Sequence, residues 1–172
     1  SLPVSYRKPD VSIPMGSHIE AAIGVGYSGL DIYGIHTLEV FQSFVERRQG
    51  GETGVKSVQW FGAKDMWSLF DDGTLSANVL EAALHVTPKA NRELDPRKLE
   101  GDGVGLFVFE YNDGLLGAIM MLPNYLQGCG LAVQVKGHKT PIATMAEERK
   151  EPHYPHFAYL LKGIETMIHT GV

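Results

Sequence analysis

Gly105-Leu106-Phe107-Val108-Phe109-Glu110-Tyr111 and Leu115-Leu116-Gly117-Ala118-Ile119-Met120-Met121-Leu122 flank the tripeptide Asn112-Asp113-Gly114. Two runs of strand-forming residues around a turn tripeptide predict a β-hairpin, because glycine adopts the positive φ that such turns require. Successive side chains in a strand point to opposite faces. Leu106 and Val108 therefore face one way, and Phe107, Phe109 and Tyr111 face the other. In the second run Leu115, Ile119 and Met121 oppose Leu116, Met120 and Leu122. Both faces are apolar, so both should be covered.

Outward from the hairpin, helical and extended segments mix. Tyr33, Val40, Phe41, Phe44 and Val45 share one face of a helix expected over 32–48, with Asp31 as its cap and Arg47 and Arg48 in its last turn. Gly50-Gly51 stops it. Val55–Phe61 and Asp65–Phe70 are rich in strand formers. Leu75, Val79, Ala82, Ala83 and Val86 make a second amphipathic helix, ended by Thr87-Pro88. Residues 88–102 read as a solvated connection, Leu131–Val135 as a further strand, and 156–169 as a closing helix. Residues 1–31 carry Pro3, Pro9 and Pro14 and read as an irregular lead-in. The expected class is α+β: an open, largely antiparallel sheet with helices packed on one face. Three helices cover one face, which leaves the other available for oligomerisation or for a further domain; the alternative is a sandwich-like single domain that covers itself.

Composition narrows the function classes. The chain has 172 residues, 44% hydrophobic and 20% charged, with a net charge of −5. That is one globular domain. The acidic balance argues against a nucleic-acid or anionic-membrane surface, and no apolar run approaches the roughly 18–20 residues of a membrane span. Cys129 is the single cysteine, which excludes an internal disulfide framework and fits a reducing, cytoplasmic setting. Its neighbours Gly128 and Gly130 offer no cationic partner, so a packed thiol is the simpler reading. Of seven histidines, His153 and His156 are set between prolines and lack companion ligands, so no metal site is expected.

Glycine is in excess, at 20 residues. Gly24-Val25-Gly26-Tyr27-Ser28-Gly29 spells the dinucleotide fingerprint G-x-G-x-x-G before a helix. The context argues against it: His18 and Glu20 interrupt the preceding run, and no acid follows at the ribose-binding distance outside the helix. A self-contained nucleotide-binding domain thus stands as a third reading. His36 lies early in the first helix, where the dipole disfavours the imidazolium and a neutral ring can exchange protons. The other reading is a core histidine bonded to backbone. Tyr6-Arg7-Lys8-Pro9 is a small basic cluster, either solvated or in contact with an anion or substrate.

Tyr33-Gly34-Ile35-His36-Thr37-Leu38-Glu39-Val40 resembles a run in the C-terminal domain of the glucose–fructose oxidoreductase/inositol dehydrogenase (Gfo/Idh/MocA) family. Gly50–Val55, Asp72–Ser76, Phe109–Gly114 and Phe157–Gly171 resemble that domain's segments in the same order. The resemblance spans roughly 1–172. It implies a single C-terminal substrate and oligomerisation domain, with the family's N-terminal Rossmann domain absent. NAD(P) would serve the full-length enzyme, with none expected to bind this fragment, which would not be active alone. The substrate would be a sugar, polyol or related hydroxy compound, and the sheet face would pair two copies. His36 is the implied catalyst, with Tyr6, Arg7, Asp31 and Tyr33 as substrate contacts. Ile32 stands where the family often has Asp, and Arg7-Lys8-Pro9 is not the family's Glu-Lys-Pro. The alternative is a non-catalytic binding or assembly module that uses the apolar face.

Overall fold

The computed structural model describes residues 7–146 and 155–171. Its frame is a seven-stranded open sheet in the order β1-β7-β6-β2-β5-β4-β3. The strands are β1 (Arg7–Lys8), β2 (Ile19–Gly26), β3 (Val55–Gly62), β4 (Gly105–Tyr111), β5 (Leu116–Met121), β6 (Cys129–Val135) and β7 (Ile142–Ala146). The helices are α1 (Leu30–Val45), α2 (Ser68–Asp71), α3 (Ala77–Val86) and α4 (Pro155–Thr170). Strands β2 and β5 pair in parallel, and the other neighbours are antiparallel. The class is the expected one: α+β, with an open, mostly antiparallel sheet.

The hairpin forms as its sequence demands. Strands β4 and β5 pair from Gly105↔Met121 to Glu110↔Leu116. Gly114 takes φ +87° at the turn, and the Asp113 carboxylate accepts from the Leu115 amide at 3.2 Å. Phe107 and Phe109 share the face that carries Ile119, while Leu106 and Val108 share the one with Ala118 and Met120.

Helices α1 and α3, however, flank opposite faces of the sheet rather than one. Val40, Phe41, Phe44 and Val45 of α1 pack with Phe109, Ile119, Leu131 and Val133. On the opposite side Phe70 of α2 and Val79, Leu80 and Ala83 of α3 pack with Leu106, Val108, Met120 and Ala132. The turn-rich stretch before α3 adds Met66 and Leu75 to that second cluster. What stays uncovered is smaller than a whole face. It is the β3–β4 end on the α1 side, where Val58 is 53% and Trp60 is 42% exposed.

Three further expectations change. Residues 1–31 are not merely a lead-in, because β2 lies at the middle of the sheet. Glu20 interrupts its apolar pattern, but the register shifts between Ile19 and Ala21, which leaves that carboxylate in solvent. Beyond the shift Ile23 and Val25 face α3, and Ala22, Gly24 and Gly26 face α1. Asp65–Phe70 is a turn followed by α2 rather than a strand, since Met66 and Phe70 sit at helical spacing and both are buried. Helix α1 begins after Gly29, so Asp31 is an exposed first-turn residue and not the cap. It ends at Val45, so Arg47 and Arg48 lie past it; the Arg48 guanidinium still donates to the Val45 carbonyl at 2.9 Å. The α3 expectation holds, with Ser76 accepting from the Val79 amide as an N-cap.

Candidate functional site

The N-terminal half of α1 carries three of the candidate site residues, Asp31, Tyr33 and His36. Its packing depends on small residues below it. A Cβ at Gly26 would collide with Thr37 Oγ1 and stand 2.7 Å from Met121 Sδ. Glycine lets the helix settle close to β2, and that close approach is the use to which the Gly24–Gly29 stretch is put. Gly24 and Gly26 lie within the strand, so the stretch builds no phosphate-binding loop. That placement weakens the one sequence feature on which the reading of a self-contained nucleotide-binding domain rested.

His36 is half-exposed, with 39% of its side chain open to solvent. Its Nδ1 lies 3.1 Å from Glu39 Oε2, one helical turn on. The Tyr33 ring meets His36 edge-on at 6.2 Å between centroids, and Tyr27 leans on Tyr33 at 4.7 Å. The imidazole is thus half-exposed at the helix surface rather than enclosed in the core. A partly exposed imidazole, bonded to a carboxylate and flanked by one tyrosine ring, can accept or release a proton.

The other expected site residues are dispersed. Tyr33 is beside His36, as anticipated. Asp31 precedes His36 by five residues, which is about 140° around a helix, so it points away from the imidazole. Arg7 is on β1 and donates to the hydroxyl and carbonyl of Ser43 at 3.1 and 3.4 Å, with its guanidinium 4.5 Å from the Phe44 ring centroid. Burial, then the charge of Arg47, lowers its pKa, against a weaker pull from Asp10. Ser43 is two turns from His36, about 10 Å along the axis. Arg7 thus ties the sheet edge to the helix instead of joining the imidazole. Tyr6 lies outside the described residues.

Two residues were missed by sequence reasoning. Glu39 had a legible signal, the i, i+3 spacing from His36. Tyr27 had none, because its approach to Tyr33 depends on the turn between β2 and α1, where Ser28 takes φ +63°.

Cys129 is buried, and its Sγ lies 3.4 Å from Thr37 Oγ1. Burial raises its pKa, with Thr37 and the Tyr27 backbone opposing, so the thiol stays protonated and unreactive at neutral pH. Among the described residues no group of three or more His, Cys, Asp or Glu side chains is placed to hold a metal ion. His153 lies outside those residues. No described helix is long and apolar enough to cross a membrane.

No family model matches the chain, and neither the curated proteins nor the solved structures contain a match to it.

Proposed function

We propose that the chain is the substrate-binding and oligomerisation half of an NAD(P)-dependent oxidoreductase that acts on a sugar, polyol or related hydroxy compound in the cytoplasm. The observation that carries this reading is the half-exposed His36, bonded to Glu39 and flanked by Tyr33. It adds to the resemblance of the Tyr33–Val40 run. On this reading the dinucleotide is held by a Rossmann domain outside the residues described. This domain's own part is to hold the hydroxyl compound against α1 and to take the hydroxyl proton on the imidazole. Tyr27 and Tyr33 offer ring surface to the C–H side of a polyol.

The test is a screen of sugars and polyols with the oxidoreductase that contains this chain, read by nicotinamide absorbance. Turnover that disappears with His36→Ala supports the assignment, and turnover untouched by that change contradicts it.

A second reading, a non-catalytic assembly module, is favoured by the uncovered surface of Val55, Val58 and Trp60. It expects a stable dimer and no effect of His36→Ala on any activity of the assembly.

A further inference from the structure

We infer that Glu39 is a positioning residue that fixes the tautomer of His36 and makes Nε2 the nitrogen that meets a substrate hydroxyl; this rests on the catalytic reading of His36. An ionised carboxylate has acceptors only. The contact at 3.1 Å between Glu39 Oε2 and His36 Nδ1 therefore places the ring proton on Nδ1. In the neutral ring the lone pair is then on Nε2. The choice matters, because the two nitrogens project from different edges of the ring, and only the unprotonated one can accept.

The local frame holds the pair in this arrangement. His36 and Glu39 are one turn apart on α1, where side chains three residues apart are neighbours. The Tyr33 ring, a turn before His36, meets the imidazole edge-on and restricts its rotation. Both side chains of the pair keep more than a third of their surface in solvent, 39% and 36%. The Glu39 contact is made at Nδ1, so a hydroxyl that meets Nε2 leaves it intact. When the hydroxyl oxygen gives its proton to Nε2, the ring becomes an imidazolium with protons on both nitrogens. The Glu39 carboxylate already lies against that new charge. Proton uptake then needs no rearrangement of the pair, which is the value of a fixed orienting group.

Nitrogen-15 NMR of the chain in alkaline buffer, where imidazoles are neutral, reads the tautomer directly. His36 signals are assigned by their loss in His36→Gln. The expected wild-type pattern is a protonated Nδ1 and an unprotonated Nε2 as the major form. Glu39→Ala should invert it, and Glu39→Gln, which retains a carbonyl acceptor, should restore it. A wild-type ring protonated mainly on Nε2, or an even mixture, overturns the inference. So does an Nδ1–H form that survives Glu39→Ala. The measurement involves no turnover, so its failure is distinct from a failure of the oxidoreductase reading, which the His36→Ala kinetics decide.

Discussion

Arg48 Nε donates to Asp113 Oδ2 at 2.6 Å, which joins the residue just past α1 to the β4–β5 turn. The same guanidinium donates to the Val45 carbonyl and to Thr53 Oγ1, and lies 4.5 Å from the Tyr111 ring centroid. Its side chain is 3% exposed against 27% for Asp113. One buried cation therefore fixes where the site-bearing helix ends relative to the hairpin.

Asp113→Ala should destabilise the fold by about 2–3 kcal/mol, less than the roughly 3–5 of a fully buried pair because Asp113 is partly exposed and Arg48 keeps two other acceptors. Burial pushes the Asp113 carboxyl up, but the Arg48 bond, the Leu115 amide and the Arg48 charge outweigh it, so its pKa is lowered. A depressed carboxyl contributes stability above its unfolded pKa of about 3.9, and that stability is lost as pH falls through the lower folded value. Urea midpoints of wild type and Asp113→Asn should differ at pH 6 and converge in strong acid.

Tyr111 gives the opposite sign. It is fully buried, and burial, set against the Arg48 charge, pushes its phenol up to about 12, while its hydroxyl donates to Gln42. A raised pKa contributes stability that is complete below the unfolded value of about 10 and is lost as pH climbs toward the folded one. Stability should fall between about pH 10 and 12, and Tyr111→Phe should flatten that part of the fall. Ultraviolet titration of the phenols, with denaturation midpoints at each pH, checks both.

Gly26→Ala should cost about 1–3 kcal/mol, the usual penalty for overpacking. The added methyl meets Thr37 Oγ1 of α1 above it and Met121 Sδ of the neighbouring strand β5. A midpoint unchanged in urea would mean that α1 does not sit this close to β2.

Much of this was legible because local pattern and fold agree. The Asn112-Asp113-Gly114 turn, the alternation along β4 and β5 and the stripe of Val40, Phe41 and Phe44 each carry their own periodicity. Strand β2 was hidden because its register shift puts Glu20 in the solvent and because its α1-side residues are Ala and Gly, chosen for close approach and silent in hydrophobicity. The two-sided helix cover was hidden for a different reason. Which face a helix takes depends on how the connections cross the sheet, and no residue spacing records that. At the site, His36 and Tyr33 were readable from one helix, whereas the separation of Arg7 from the imidazole follows from where the β1 edge meets α1.

The proposed subunit contact is testable apart from any chemistry. Val58 and Trp60 are exposed beside Phe107, with the Trp60 and Phe107 rings 4.5 Å apart. Exposed apolar side chains on a sheet face favour association. Sedimentation of the wild-type chain should show a dimer, and Val58→Lys combined with Trp60→Glu should give a folded monomer. A wild-type monomer at high concentration would remove this part of the account.

The most direct measurement of the proposed function is kcat/KM for nicotinamide-linked polyol oxidation by the full-length protein that contains this chain, in wild type, His36→Ala and Glu39→Ala. Loss of a general base typically costs about 10²–10⁴-fold. The account predicts a fall in that range for His36→Ala, carried in kcat, with a smaller fall for Glu39→Ala. Equal rates in wild type and His36→Ala would contradict it.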